Sequence, residues 1–321
     1  MSIAAPKSRL DAIDALRGAA LAGMFVFHLI WDIGYFRLVS PDLPFEPVVM
    51  GFGHFVAGSF LFLVGVSLAL SSRNGLDMGA FWRRLLMIGA AAAGVSAATF
   101  WLFPGSFIFF GILHCIALSS LLTLPLLRAP IWIVAAIMMA AFAAPLVIVS
   151  PVFDAPQFWW LGLGTKEPLS NDWRPLVPYF GVVLAGLIAA RLMLSSGLPA
   201  WLCDWRAKGP ASRTLALGGR HSLLVYLTHQ PIFLVVIFMA ARAFTPLPIL
   251  PTQTEPFVSS CATQCVASGG GPQTCRNVCG CIASEIGKEP RIWERLTQET
   301  LQPADREAID GFTRQCIRTT R

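Results

Sequence analysis

Apolar residues in this chain fall into long runs at about 16–36, 52–72, 82–103, 107–127, 131–151, 175–194 and 222–244. A hydrocarbon core about 30 Å thick takes about 20 apolar residues per helix. Each run is long enough to cross, and the pattern predicts about seven transmembrane helices. The first run does not read as a cleavable signal: Asp14 and Arg17 stand at its start, it is too long, and no small-residue cleavage site follows. Beyond residue 245 the apolar runs stop, and Pro246, Pro248 and Pro251 mark a stiff boundary. The expected architecture is all-α: a polytopic membrane helix bundle over 1–245 and a small cysteine-rich, helical, disulfide-rich tail over 246–321.

Composition agrees. The chain is 55% hydrophobic and 13% charged, with a mean hydropathy of +0.64, where a soluble domain carries roughly 25% charge. A soluble enzyme, a disordered chain and a fibrous repeat are excluded. The net charge of +6 reports basic loops rather than a nucleic-acid partner. Lys7, Arg9, Arg17, Arg73, Arg83, Arg84, Arg128, Arg191, Arg206, Lys208, Arg213 and Arg220 all fall on one side of the predicted spans. Only Arg37, Lys166, Arg174 and Arg242 fall on the other side, before the tail. Basic loops stay cytoplasmic, so the N-terminus is expected in the cytoplasm of a bacterial inner membrane and the tail in the periplasm.

The cysteines point the same way. Six of the eight (Cys261, Cys265, Cys275, Cys279, Cys281 and Cys316) lie in the tail, where an oxidising compartment lets disulfides persist. Two C-x3-C pairs flank the turn at Gly269–Gly271, so two antiparallel helices stapled together are expected. A zinc site is the alternative, although no histidine follows His229, and the pairing is open. No metal is expected elsewhere.

Ionisable groups inside spans are costly and mark functional interiors or wet cavities. Here they are Arg17, His28 and Asp32 in the first run, His54 opening the second, His114 in the fourth, and Arg220, His221 and His229 in or beside the last. His28 and Asp32 share a helix face one turn apart, and such a pair can fix an imidazole tautomer and support a general base. With His54 and His114 they converge in the outer half of the membrane. There the loop 152–174 brings Ser170, Asn171 and Asp172, polar groups suited to a substrate entrance. His229, beside Thr228 and before Pro231, reads as a helix-packing residue. On the inner side Arg17, Arg83, Arg84 and Arg220 are suited to a phosphate-rich ligand, and topology alone is the competing explanation. No phosphate loop, nucleophile elbow or zinc-protease motif is present.

The segment Arg9-Leu10-Asp11-Ala12-Ile13-Asp14-Ala15-Leu16-Arg17-Gly18 resembles the opening of the transmembrane acyltransferase superfamily. It is similar to the bacterial family of unknown function 1624, which is related to the heparan-alpha-glucosaminide N-acetyltransferase catalytic domain. The stretches Phe60–Leu68, Gly111–Leu118 and Gly219–Leu227 are similar to the same family, so the resemblance covers about 9–235. Related sugar O-acyltransferases carry an arginine and a histidine separated by ten residues in their first helix, a spacing that Arg17 and His28 share.

The resemblance implies an acyltransferase that uses cytoplasmic acetyl-CoA. In it Arg17, Arg83, Arg84, Arg220 and His221 hold the CoA, and His28 acts as base, with Asp32 orienting it and His114 beside it. His54, Asn171 and Asp172 meet a glycan or amino-sugar acceptor. Partners are then the lipid bilayer and that acceptor, no nucleic acid, with a homodimer left open. A transporter or scaffold, and a membrane anchor for a partner-binding tail, are the competing classes. No internal repeat of the kind transporters show is visible.

Overall fold

The computed structural model describes residues 10–36, 38–40, 42–73, 75–197, 199–244, 251–297 and 301–319. Lys7, Arg9, Arg37, Pro246 and Pro248 lie outside them. Thirteen α-helices and no strand occur among the described residues. They group into two compact units, Met1–Leu29 with Pro44–Ile232 and Ile30–Leu43 with Phe233–Arg321.

Among the described residues five helices are long and apolar enough to cross a membrane, and the chain is a multi-pass membrane protein: α1 (Asp11–Tyr35), α2 (Pro47–Ser72), α3 (Met78–Leu102), α6 (Leu176–Ser195) and α9 (Ser222–Phe244). The other two predicted spans are shorter: α4 (Ile112–Thr123) has 12 residues and α5 (Ile131–Val147) has 17. At 1.5 Å per residue, α4 is only about 18 Å long. The expectation of one crossing helix over 107–127 is corrected here. Phe107–Phe110 are apolar but non-helical, Gly111 is the N-cap, and Pro125 opens a short 3-10 turn, because a proline has no N–H with which to continue the helical ladder. Apolar content located the segment but could not distinguish helix from apolar loop.

In the first unit the centre is formed by Leu61 of α2, Val134 of α5 and Val183, Leu184 and Leu187 of α6, all fully buried. Helices α2 and α6 approach closely because Gly65 faces the Val183 carbonyl and Gly186 faces the Phe62 carbonyl; a Cβ at either would overlap backbone. Small residues that let backbones touch are the usual route to packing between membrane helices.

Residues 196–221, expected only as a basic loop, contain the short helix α7 (Ala200–Asp204) and the amphipathic helix α8 (Pro210–Arg220). Ala216 and Gly219 of α8 are buried while Arg213 and Leu217 are exposed, a one-sided pattern. Its buried side meets α1, with Gly18 against the Leu215 carbonyl and Gly219 against the Asp14 carbonyl.

The loop before α6 is closed on itself. The Asp154 carboxylate accepts from Thr165 N at 2.6 Å and Thr165 Oγ1 at 2.5 Å, and the indoles of Trp159 and Trp173 donate to the Asp154 and Trp159 carbonyls.

In the second unit, α10 (Pro251–Ala267) and α11 (Pro272–Ile286) are joined across the expected turn, where Gly269 has φ +93°. Cys261–Cys279 and Cys265–Cys275 staple this hairpin, and Cys281–Cys316 ties α11 to α13 (Pro303–Thr319). All six tail cysteines are therefore in disulfides, and zinc is not what they hold. Ile282, Ile286, Ile292, Trp293 and Cys316 form the core of this unit, with α12 (Pro290–Thr297) contributing two of them.

Candidate active site

The short α4 begins inside the first unit, and a helix start leaves backbone N–H groups without intrahelical partners. Asp172 meets one of them: its Oδ2 accepts from Ile112 N at 2.9 Å. Its Oδ1 lies 3.3 Å from Arg174 Nε, and both side chains are largely buried. Burial works against the Arg174 charge, but the Asp172 carboxylate and the Tyr179 hydroxyl hold its pKa above the usual guanidinium value. Because Arg174 can only donate, the Tyr179 oxygen faces the guanidinium and its O–H turns to His54 Nδ1, 2.8 Å away. One chain of polar contacts thus runs from the start of α4 through the loop to α6 and α2.

His114 also serves the start of α4. Its Nδ1 accepts from Gly111 N at 3.2 Å, so a neutral ring carries its proton on Nε2, which lies 3.3 Å from Ser96 Oγ on α3. Ser96 in turn donates to the Ile108 carbonyl at 2.6 Å. Both ring nitrogens are committed to holding local backbone.

His28 and His229 form a second pair on α1 and α9. Their ring centroids are 4.8 Å apart and tilted by 60°. His229 stacks on Phe25 at 5.5 Å, and its Nδ1 is 2.5 Å from the Tyr226 carbonyl. His28 is half-buried, His229 is 5% exposed, and the charge of Arg174 reaches both His28 and His54. Asp32, on the next turn of α1, is completely buried.

About 16 Å back along α1, the basic residues are organised differently. Asp14 Oδ1 receives Arg17 Nη1 at 2.9 Å, and its Oδ2 receives Arg220 Nε at 3.2 Å. Arg220 Nη2 also reaches Asp11 at 2.7 Å, and Arg17 Nη2 donates to Ser67 of α2 at 2.5 Å. Two carboxylates and two guanidiniums thus lock α1, α2 and α8 together with no net charge. Arg83 and Arg84, in the first turns of α3, are exposed, and Arg84 lies within electrostatic range of Arg17. His221 is exposed at the end of α8, with its Nδ1 3.1 Å from the Leu217 carbonyl.

Of the residues singled out from the sequence, His54 and Asp172 join one polar network, His114 caps the same helix start through Gly111, and His28 lies within electrostatic range of Arg174. Asn171 belongs to the same loop and is held by its backbone, Asn171 N donating to the Ser106 carbonyl at 2.8 Å. Sequence reasoning missed Arg174 and Tyr179 as members and Tyr226 as a neighbour, and it read His229 as packing. Arg174 had one available signal, two residues from Asp172 in the loop assigned to the entrance.

A family model described as heparan-alpha-glucosaminide N-acetyltransferase, catalytic, matches residues 9–231. The chain belongs to that family. No curated protein and no solved structure matches it. Membership makes this an acyltransferase-like membrane enzyme. The matched span contains both histidine groups and the locked α1–α8 junction, and it stops before the cysteine-rich tail.

Proposed function

We propose that the protein takes an acetyl group from acetyl-CoA bound at the arginine-rich end of the first unit and passes it to a glycan hydroxyl or amine at the histidine end. The observation that carries this reading is His28, a half-buried imidazole inside the bundle, about 16 Å along α1 from Arg17. A phosphopantetheine arm bridges two such ends, and a titratable ring at the far one is what acyl transfer needs.

The acceptor O–H or N–H gives its proton to His28 as its oxygen or nitrogen attacks the acetyl carbonyl. The new bond to carbon forms, the C–S bond breaks, and the proton passes on to the CoA sulfur. Asp32, buried one turn further along α1, is the orienting group in this reading. His114, with both nitrogens engaged, holds the start of α4 beside the site. His54, Asn171 and Asp172 face the acceptor.

Arg17 and Arg220 already neutralise Asp14 and Asp11. The CoA phosphates therefore fall chiefly to the exposed Arg83 and Arg84, with His221 nearby in sequence to Arg220. The distribution of lysine and arginine supports a cytoplasmic N-terminus in a bacterial inner membrane, with the tail outside.

The test is calorimetric titration of acetyl-CoA into detergent-purified protein, followed by transfer of labelled acetyl to glucosamine and to neutral sugars. Saturable binding that Arg84→Ala weakens, with transfer that His28→Ala abolishes, is expected. A folded protein that binds no acetyl-CoA returns the chain to the transporter or scaffold class.

A further inference from the structure

We infer that His229 is the positioning partner of His28, so that two rings on α1 and α9 form the basic unit of the site. The inference rests on His28 being the base in the reading above.

The geometry begins with Tyr226. A backbone carbonyl can only accept, so the 2.5 Å contact to its oxygen fixes the hydrogen of neutral His229 on Nδ1 and leaves the lone pair on Nε2. A contact to a carbonyl one turn back needs no imidazole: Thr228 on the same helix makes one with a hydroxyl, Oγ1 to the Leu224 carbonyl at 3.0 Å. What the imidazole adds is a basic nitrogen in a ring that cannot swing. Phe25 lies parallel to it at 5.5 Å, Tyr226 holds one edge, and His28 meets it at 4.8 Å. Phe25 and His28 are three residues apart on one face of α1, so the helix that carries the base also clamps its partner.

Among the titratable groups around the pair, Asp32 stands one turn from His28 on the same helix and is completely buried. Arg174 reaches His28 from the loop before α6, and Tyr226 stands on α9 within range of Arg174 and Asp172. During transfer the proton taken from the acceptor sits on His28 until the CoA sulfur receives it. A neutral His229 against that ring stabilises the imidazolium and holds it in line, and a protonated His229 opposes it. Groups that interact by more than about one pK unit titrate as a pair.

The experiment compares wild type with His229→Asn, whose amide keeps a donor for the Tyr226 carbonyl, and with His229→Gln in case the first variant does not fold. The first readout needs no acceptor: proteins labelled with nitrogen-15 histidine are titrated by NMR in detergent. The His28 midpoint is expected to move by about one pH unit or more when His229 is replaced. The second is acetyl transfer from acetyl-CoA to glucosamine, where kcat is expected to fall about 100-fold, the acid limb of kcat/KM to shift, and the acetyl-CoA Kd to stay at its wild-type value. An unmoved His28 midpoint in either folded variant overturns the inference. If wild type transfers acetyl and His28→Ala abolishes transfer while His229→Asn is indifferent, only the pairing fails. If His28→Ala is itself indifferent, the reading beneath it fails.

Discussion

Asp14 is the residue on which the α1–α8 junction turns, and Asp14→Asn is the smallest change that tests it. The carboxylate is 7% exposed and takes Arg17 at 2.9 Å and Arg220 at 3.2 Å. The amide keeps the shape and one acceptor oxygen but removes the charge. A unit pair at about 4 Å attracts by about 4 kcal/mol at an effective dielectric constant of about 20, and desolvation offsets much of that. Breaking a fully buried pair costs about 3–5 kcal/mol, whereas an exposed pair is worth about 0–1 kcal/mol. The Arg17 and Arg220 side chains are 23% and 36% exposed, and Arg220 keeps Asp11. The expected cost is therefore intermediate, about 2 kcal/mol, or about 30-fold in the unfolding equilibrium.

Denaturant titration of the full chain in one detergent measures it, and a double-mutant cycle with Arg220→Ala should return about 1–2 kcal/mol of coupling. A loss under about 0.5 kcal/mol, or strict additivity, refutes the clamp. The same variant separates two roles for the arginines. If they hold CoA phosphates, Asp14→Asn releases them and acetyl-CoA binds more tightly; if they hold the junction, affinity stays level while stability falls.

Four further outcomes follow from particular contacts. Gly186→Ala places a Cβ against the Phe62 carbonyl and should destabilise the α2–α6 packing by about 1–3 kcal/mol in the same titration; a neutral result means the helices can separate freely. Tyr179→Phe removes the hydroxyl beside His54 and Arg174 and should cost about 1 kcal/mol while moving the His54 NMR signal, and an unchanged signal argues against the network. Replacing Cys281 and Cys316 by serine opens a bridge between residues 35 apart and should lower the stability of the tail by about 4 kcal/mol on the chain-entropy estimate, read by hydrogen exchange in α11 and α13. The backbone N–H of Gln302 and the guanidinium of Arg295 hold the Asp305 carboxyl below its ordinary range, so its contribution is complete above the unfolded value near 3.9. That contribution is lost as pH falls through the lower folded value; Asp305→Asn should remove this acid dependence from the exchange of α13.

The helical class and the stapled tail were legible because both rest on local rules: apolar runs as long as a bilayer is thick, and cysteines one turn apart across a glycine turn. The failures were non-local. Phe107–Phe110 are as apolar as any span, yet Gly111 and Pro125 confine α4 to 12 residues. Helix α8 reads as a basic loop because Arg213 and Arg220 bracket an apolar run far too short to cross a membrane, and its burial depends on the close approach to Gly18. Arg17 and Arg220 looked like anion ligands because the sequence separates Arg220 from Asp11 and Asp14 by more than two hundred residues. His28 and His229 could be located in their helices, but nothing in either segment says that one ring meets the other.

The shortness of α4 bears directly on which polar residues to credit with chemistry. A helix that starts within an apolar bundle must have its first N–H groups satisfied by protein, since lipid offers no partner. Asp172 and His114 do this work at Ile112 and Gly111, and Arg174 follows as the counter-charge that lets Asp172 be buried. Their burial is accounted for by the fold before any reaction is considered. His28 has no such capping role. It lies in the middle of a continuous helix, far from any end that needs capping, and the ring it meets is another imidazole. A variant series should therefore divide in two: substitutions at Asp172 and His114 should lower activity and stability together, while His28→Ala should lower activity alone. If stability falls equally at all three, the histidine on α1 is a packing residue and the base must be sought elsewhere in the unit.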